Sequence, residues 1–202
     1  MSIRRASDGP YTTAVSEEGG QVRKEELDPQ ARALRRLALA QIRQYGDPAL
    51  RITAREVDRF DHDLERLAER MIALMRDASG VGLAATQVGI LQRVFVIEAE
   101  DEEPRALVNP RIVERGAETA VDDEGCLSLQ GVLVPVERHQ VVTVEALDLH
   151  GGPLRLSFEG LPARVVQHEL DHLDGTLIID RTDPESRRGA LAELRPKPVL
   201  YG

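Results

Sequence analysis

The sequence predicts an α+β fold in which antiparallel β-sheets wrap around a central metal-binding HExxH helix. Two observations lead to this fold class. Short apolar segments bounded by turn residues have the length of strands, and a helical segment that carries an HExxH motif follows them. Strands that come before a helix in one block, instead of alternating with helices, indicate α+β rather than α/β.

The length of the chain suits one folded domain with a substantial core. The chain has 202 residues, of which 42% are hydrophobic and 30% are charged, as in ordinary globular proteins. Aromatic residues make up only 3% and Trp is absent, so the core must consist mainly of Leu, Val, Ile and Ala.

Charge and cysteine content limit the environment and the partners of the protein. The formal net charge of -9 argues against a general nucleic-acid binder, which needs a basic face for the phosphates. The single cysteine excludes an internal disulfide and indicates a reducing compartment. No apolar stretch has the length of a membrane span, and Arg4 and Arg5 are not followed by the apolar block of a secretory signal. We therefore expect a cytoplasmic protein without a membrane or specific nucleic-acid partner.

The chain divides into three predicted parts. Residues 1–30 lack hydrophobic periodicity and are rich in Ser, Gly, Glu and Lys, which predicts a flexible N-terminal extension. Residues 31–182 form the folded domain. Residues 183–202 form a C-terminal helix and tail, since Asp183 followed by Pro184 is a helix start.

Local patterns predict the elements of the domain in order. Residues 31–43 are regular but ambiguous between helix and strand, and Asp47 with Pro48 begins a short helix. The clearest helix is 61–77, whose apolar face indicates core packing rather than a cofactor site. Strands are predicted at residues 93–98, 106–109, 132–136, 141–147 and 154–158, and the HExxH helix begins near residue 161.

The HExxH motif has the spacing of a metal site. His168 and His172 are four residues apart, which on a helix places both imidazoles on one face. Glu169 is placed to act as a general base toward a water molecule at the metal. Gly175 stands where a left-handed cap would end the helix. The alternative is an amphipathic helix with two incidental histidines, but the glutamate in the correct position favours a hydrolytic metal site.

Cys126 has three interpretations: a small buried apolar residue, a nucleophile, or a thiolate ligand. A catalytic site with two histidines needs a third protein ligand, which Cys126 could supply. Carboxylates are numerous in the sequence, and at this level they remain alternatives for the third ligand.

Three segments together resemble the signature motifs of the bacterial peptide deformylase family. They are residues 80–87 (GVGLAATQ), 124–128 (EGCLS) and 167–175 (QHELDHLDG), in the family's order, and the similarity runs from about residue 42 to 181. The sequence departs from the pattern at residues 129–131, where Leu-Gln-Gly replaces a more usual proline-containing turn. Residues 31–182 would accordingly be the peptide deformylase catalytic domain.

The resemblance implies an activity and a set of roles. The family removes the formyl group from the N-terminal formyl-methionine of new polypeptides and releases formate. Its metal is one divalent ion, typically Fe2+, with Zn2+, Ni2+ or Co2+ able to replace it. The implied metal ligands are Cys126, His168 and His172; the implied catalytic groups are Glu169 as acid/base, and the Gln87 amide and the Leu127 backbone N–H as oxyanion donors.

The resemblance also implies where the substrate binds. The backbone of Gly82 borders the cleft, and Gly125 adjoins it in the second motif. The methionine pocket would draw on Val81, Leu161 and Val165, for each of which core packing is the alternative. Glu124 and Arg138 are expected to form a supporting ion pair, with a solvated pair as the alternative.

Two other functions fit parts of the sequence. A zinc peptidase also uses HExxH, but it would take its third ligand from a downstream His or Glu instead of Cys126. A deformylase-like binding protein would be expected to lose part of the metal set, which is complete here.

A last expectation concerns the ribosome, where nascent formylated chains appear. Weak docking through the C-terminal helix is predicted from Arg181, Arg187, Arg188, Arg195 and Lys197, which outnumber the nearby acids. The alternative is an ordinary solvated helix packed on the domain.

Overall fold

The computed structural model describes residues 28–98 and 103–195. Residues 1–27 of the predicted extension and 196–202 of the predicted tail, with Lys197, lie outside the described residues. The helices are α1 (Pro29–Leu39), α2 (His62–Asp77), α3 (Leu161–Leu173) and α4 (Pro184–Glu193). The strands are β1 (Gly82–Ala84), β2 (Val94–Ile97), β3 (Arg105–Arg115), β4 (Thr119–Gly125), β5 (Leu133–His139), β6 (Val141–Leu147) and β7 (Pro153–Glu159). Three short 3₁₀ helices cover Pro48–Arg51, Ala85–Val88 and Ile178–Asp180.

The strands form two antiparallel sheets, as the predicted fold class requires. The larger sheet has the order β1-β2-β3-β6-β7, and β4 pairs with β5 in a separate two-stranded sheet. Because β3 pairs directly with β6, the β4–β5 hairpin is an excursion that leaves the large sheet and returns to it. The α+β architecture is therefore confirmed.

Helices cover both faces of the large sheet at β2. Along β2, Val94 and Val96 point into a core shared with α1 and α2, whereas Phe95 and Ile97 point into a core shared with α3. This arrangement explains why all four β2 residues are apolar and buried, since neither face of the strand meets water. The HExxH helix consequently lies against the sheet with most of its surface enclosed.

A third core holds the hairpin against the C-terminal segment. Val134 and Val136 of β5 pack with the 3₁₀ turn Ile178–Asp180 and with Ala190 of α4. Cys126, immediately after β4, belongs to the same cluster. The hairpin thereby presents the cysteine toward α3.

The ends of α3 follow from its sequence. Pro162 occupies the first turn, where its missing N–H costs nothing. At the C-terminus Gly175 adopts φ +73°, its N–H donates to the His172 carbonyl, and the Thr176 N–H donates to the Asp171 carbonyl. These two bonds form a Schellman cap, as the glycine predicts.

Four elements differ from the sequence-based expectations. The ambiguous segment is the helix α1, capped by the Asp28 side chain. The strand β1 lies inside the small-residue motif, and β4 was not predicted because Asp122 and Asp123 face solvent and hide its apolar alternation. The strand β3 runs through Pro110, where the pairing with β6 shifts register, since proline has no N–H for the ladder.

No helix of the described ranges has both the length and the apolar character needed to cross a membrane.

Candidate metal centre and active site

Three side chains from two parts of the fold meet beside α3. Cys126 follows β4, whereas His168 and His172 lie one turn apart on α3. One ligand atom from each lies within 4.8 Å of the other two, and Cys126 Sγ is 3.2 Å from His172 Nε2. Among the residues that the structure describes, this is the one group of three or more His, Cys, Asp and Glu side chains arranged to hold a metal ion.

The donor set fits a divalent transition metal. Ligand atoms of a tetrahedral site are separated by about 3.3–3.6 Å, so these three atoms can hold one ion after a small adjustment. His168 Nδ1 is occupied by Glu124, which leaves Nε2 to face the metal. Thiolate and imidazole ligands suit Fe2+, Zn2+, Co2+ and Ni2+ better than Mg2+ or Ca2+.

Hydrogen bonds to sulfur hold Cys126 as an acceptor. The Ser128 N–H donates to Sγ at 3.4 Å and the Gln87 side-chain amide at 3.7 Å. Two N–H groups directed at the buried sulfur use it as a hydrogen-bond acceptor. This environment argues against the interpretation of Cys126 as a plain apolar residue.

Glu169 faces the same space and has one unsatisfied carboxylate oxygen. Burial raises the pKa of Glu169 to about 7. Its Oε2 and the Nδ1 of His172 are buried without a hydrogen-bond partner in the described part of the chain. A buried carboxyl group with a pKa near neutrality can both accept and return a proton.

Gln87 is fixed with its amide N–H groups toward the cysteine. Its Oε1 accepts a hydrogen bond from the Ala84 N–H at 2.9 Å, and its Nε2 donates to the Ser128 hydroxyl at 3.1 Å. The 3₁₀ turn Ala85–Val88 places this fully buried side chain next to β1. Leu127 follows Cys126, and its carbonyl accepts a hydrogen bond from Gln44 at 3.2 Å.

The predicted ion pair between Glu124 and Arg138 is present and buried. Arg138 Nε and a terminal nitrogen bind the two carboxylate oxygens at 2.9 and 3.0 Å. Burial alone would raise the pKa of Glu124, but hydrogen bonds from His168 and Arg138 outweigh it and lower that pKa far below its usual range. Glu124 is thus a permanent anion that fixes the His168 ring through Nδ1, at 3.1 Å.

The ion pair is part of a larger buried network that sequence reasoning missed. Arg138 also donates to Asp171 at 2.7 Å, and Asp171 accepts two hydrogen bonds from Arg181. Arg164 joins the network from the first turns of α3. Two features of the sequence could have indicated this network. Asp171 lies inside the HExxH motif, and Arg164 lies one turn before His168.

The two histidines differ in electrostatic environment. Burial opposes protonation of His168, but hydrogen bonds to Cys126 and Glu124 outweigh it and raise its pKa. Burial lowers the pKa of His172 well below its ordinary value. A neutral His172 has a lone pair available for a metal ion.

The predicted substrate residues differ in how deeply they are buried. A Cβ added to Gly82 would lie 2.5 Å from Glu169 Oε1 and 2.8 Å from Val165, so the backbone at Gly82 closely approaches the carboxylate. Val165 is buried, whereas Val81 and Leu161 are 37% and 43% exposed. Gly125 ends β4 next to Cys126.

The turn that departs from the family pattern adjoins the second motif. Leu129 is buried, Gly131 adopts φ +82°, and the Gln130 side chain donates to Gln44 at 2.9 Å. Since Gln44 itself binds the Leu127 carbonyl, the turn is tied to the backbone beside the cysteine.

The geometry gives no support to a zinc peptidase. No His or Glu after residue 172 joins the two histidines in the described ranges, whereas Cys126 does.

Comparisons with known proteins agree with the motifs. A model of the polypeptide deformylase family matches residues 39–188. Peptide deformylase from Thermotoga neapolitana is 48% identical over 146 residues, covering 72% of this chain and 88% of that protein. The enzyme from Dictyoglomus thermophilum is 47% identical over 148 residues, covering 73% and 95%.

Comparison with solved structures indicates the same family. The crystal structure of a peptide deformylase from Legionella pneumophila has a TM-score of 0.72 at 41% identity, covering 76% of this chain and 91% of that one. The structure of the Thermotoga maritima enzyme has a TM-score of 0.69 at 48% identity, covering 71% and 97%. The chain therefore belongs to the polypeptide deformylase family, the metal-dependent hydrolases that remove the N-formyl group from newly made polypeptides.

Proposed function

We propose that Cys126, His168 and His172 hold the metal ion with which this chain removes the formyl group from N-formyl-methionyl peptides. The observation that carries the assignment is the convergence of their ligand atoms within 4.8 Å, next to the buried carboxylate of Glu169. A divalent ion bound there supplies Lewis-acid chemistry, which makes water more acidic and polarises a carbonyl group.

Glu169 moves the protons of the reaction. It accepts a proton from the attacking water, whose oxygen forms a new bond to the formyl carbon. It then gives that proton to the leaving nitrogen as the carbon–nitrogen bond breaks, so that formate and a free amine result. A pKa of about 7 suits both steps.

Gln87 and the Leu127 N–H stabilise the charge that develops on the formyl oxygen. Gln87 is held in advance by the Ala84 N–H and the Ser128 hydroxyl, so only its second N–H, which makes the 3.7 Å contact to Cys126 Sγ, has to turn toward the formyl oxygen. One such fixed donor is typically worth about 3 kcal/mol of transition-state stabilisation.

The peptide lies along β1 in this proposal. Gly82 allows the peptide backbone to approach, and Gly125 leaves space on the hairpin side. Val81, Leu161 and Val165 contribute apolar surface for the methionine side chain, and the partial exposure of the first two fits a pocket wall.

The metal in the cell is proposed to be Fe2+. A thiolate is a soft ligand that binds ferrous iron but is sensitive to oxidation, so Zn2+, Ni2+ or Co2+ would give a more durable protein. Metal analysis of anaerobically purified protein tests this identity, and zinc as the dominant metal with full activity would contradict it.

The proposed location is the cytoplasm, with weak ribosome docking through α4. Arg181 and Arg187 are engaged within the molecule by Asp171 and Asp180, whereas Arg188 and Arg195 are exposed. Exposed arginines on an acidic protein are a local exception that ribosomal RNA can recognise.

Charge reversal is a better test of docking than truncation, because Ala190, Leu191 and Leu194 pack into the third core. Arg188→Glu combined with Arg195→Glu is expected to weaken ribosome co-sedimentation at low salt without changing tripeptide hydrolysis. Arg59→Glu combined with Arg66→Glu, on exposed positions elsewhere, is the charge-matched control. Equal co-sedimentation of both double variants would exclude α4 as the docking element.

Formate release from formyl-Met-Ala-Ser tests the function itself. Cys126→Ser is expected to lose metal and activity together, since the soft ligand is replaced by a poor one. Full metal occupancy in Cys126→Ser would overturn the ligand assignment.

A further inference from the structure

Arg164 is a buried charge that the chemistry described above does not use. It lies on α3 four residues before His168, so the two side chains share one face of the helix. It is only 9% exposed although it is an arginine. A buried guanidinium is costly unless its donors are paired, so its partners indicate its purpose.

The partners of Arg164 all lie on the β4–β5 hairpin. One terminal nitrogen donates to Glu124 Oε1 and to the Val136 carbonyl, both at 2.9 Å. The other donates to the Ala120 carbonyl at 3.0 Å and to Asp122 at 2.8 Å. One side chain of α3 therefore holds both strands of the hairpin.

Glu124 receives a full set of four donors as a result. Its Oε1 accepts from Arg138 and Arg164, and its Oε2 accepts from Arg138 and pairs with His168 Nδ1. An ionised carboxylate has about four lone-pair positions, so its orientation is completely determined. Arg138 lies on β5, so it binds Glu124 from within the hairpin. Arg164 lies on α3, so it binds Glu124 from the helix.

The metal ligands belong to the same two parts of the fold. Cys126 extends from the hairpin, and His168 and His172 stand on α3, which packs on the large sheet. The distance between sulfur and imidazoles therefore depends on how the hairpin sits on the helix.

We propose that Arg164 is a positioning residue for the metal centre, which sets the hairpin against α3 and completes the hydrogen bonds that orient Glu124 on His168. The proposal rests on the ligand assignment made above and extends it to a residue outside the ligand set. Arg164 acts through Glu124 and the hairpin, with no contact to the substrate required.

The experiment compares metal affinity in Arg164→Met and Arg164→Lys with that of the wild-type protein. Chelator competition gives the dissociation constant for Co2+, and the absorption spectrum of the cobalt protein reports the geometry of the thiolate and imidazole ligands. Loss of a partner of a ligand histidine typically weakens metal binding by about 10- to 100-fold. We expect that loss in Arg164→Met with altered cobalt bands, and a smaller change in the same direction in Arg164→Lys, which keeps the charge without the fork.

Two controls separate positioning from stability. Arg155→Met removes an exposed arginine of β7 that pairs with Glu114 and Glu145 of the large sheet and with no residue of the hairpin or of α3 in these ion pairs. Leu64→Ala weakens the core under α1 and α2, which contains no residue of α3. Both are expected to keep the wild-type dissociation constant and spectrum, and Leu64→Ala to lower the melting temperature.

The outcomes are distinguishable. Wild-type affinity and spectrum in the folded Arg164 variants, even with a lowered melting temperature, would overturn the positioning role alone. If Arg164→Met does not fold, the Co2+ dissociation constant and the cobalt spectrum of Arg164→Lys test the proposal instead. Absence of a thiolate-to-cobalt band in the wild-type protein would overturn the ligand assignment and this inference with it.

Discussion

Two buried glutamates show how neighbouring residues separate the roles of chemically identical groups. Glu124 and Glu169 are 5% and 4% exposed, so both lose hydration. Hydrogen bonds from His168 and Arg138 lower the pKa of Glu124, whereas burial raises that of Glu169 to about 7. One carboxylate therefore stays charged and orients the His168 ring, while the other can exchange protons.

Glu169→Gln is expected to retain metal but lose turnover. The amide keeps the shape of the side chain but cannot carry a proton, and loss of such a group typically lowers the rate by about 10²- to 10⁴-fold. Metal content and kcat measured on the same preparation check it. Wild-type turnover in metal-loaded Glu169→Gln would contradict the acid/base role.

Gly82→Ala is expected to impair catalysis without unfolding the protein. The added methyl group would lie 2.5 Å from Glu169 Oε1 and 2.8 Å from Val165 Cγ1, which displaces the carboxylate and fills the approach of the peptide. We expect kcat/KM to fall by about tenfold or more, as misplacement of a catalytic group by about 1 Å costs up to 10²-fold.

Gly189→Ala on α4 is the matched control, because its Cβ would meet nothing within 4 Å. Equal kcat/KM values in Gly82→Ala and Gly189→Ala would show that the space at Gly82 does not matter for the reaction.

Among the secondary-structure elements, α3 affects the proposed metal centre through its C-terminal cap as well as through His168 and His172. The Schellman cap at Gly175 ends the helix at Leu173, one residue after His172, and brings the chain against Arg51. A Cβ at Gly175 would lie 2.8 Å from the backbone of Arg51.

Gly175→Ala is therefore expected to destabilise the fold more than Gly131→Ala. Both glycines have positive φ, so both substitutions carry the cost of a left-handed alanine, about 1–2 kcal/mol. Only Gly175 adds a clash with backbone, because a Cβ at Gly131 meets nothing within 4 Å. Urea unfolding of both variants isolates the clash, and equal losses of unfolding free energy would rule it out.

Asp180 joins the C-terminal elements to the domain and makes stability depend on pH. Burial alone would raise its pKa, but hydrogen bonds from Arg51, the Leu177 N–H and Arg187 outweigh it and lower the pKa below the ordinary 3.8. A lowered carboxyl pKa stabilises the fold above the unfolded value, and that stabilisation is lost as pH falls through the folded value.

Asp180→Asn should accordingly cost about 1 kcal/mol near pH 7, after allowance for solvent screening. The difference from the wild-type protein should be constant down to about pH 5 and shrink below about pH 4. Urea unfolding across this range checks the prediction, with Asp123→Asn on the exposed face of β4 as the control. A difference that does not change with pH would contradict it.

The sequence predicted those parts of the site that depend on local spacing. The turn between His168 and His172, the cap at Gly175 and the Asp61 start of α2 follow from neighbouring residues. The pairing of Cys126 with the histidines came from resemblance, because spacing could not choose between cysteine and the carboxylates. Arg164 escaped prediction because its partners lie about 28–44 residues away and nothing local marks them.

On the scale of the whole molecule, three apolar cores support the metal centre from different sides. The cores under α1 and α2, under α3, and beside α4 contain the bulk of the buried Leu, Val and Ile side chains. The charged network is paired within itself, so neither it nor the cores require a metal ion to form.

Removal of the metal should therefore lower the melting temperature without unfolding the protein. An ion present at 100 times its dissociation constant adds about 2.7 kcal/mol of stability. In a chain of this size that corresponds to about 5–10 °C in melting temperature. Circular dichroism after treatment with a chelator, and again after addition of Co2+, measures the shift; loss of the far-ultraviolet signal at 25 °C in the metal-free protein would refute the prediction.

Because the β4–β5 hairpin lies outside the large sheet, its docking determines the stage of folding at which the proposed metal ligands come together. The large sheet closes without the hairpin, since β3 pairs directly with β6. A hairpin forms within about 1–10 microseconds by local pairing, but Cys126 and His172 are 46 residues apart and meet only when the finished hairpin docks on α3. Contacts of that separation come late, because the entropy of closing the loop must be overcome first. An ion held by the proposed ligands would then bind to a nearly native chain, in contrast to a zinc finger, whose ion drives folding.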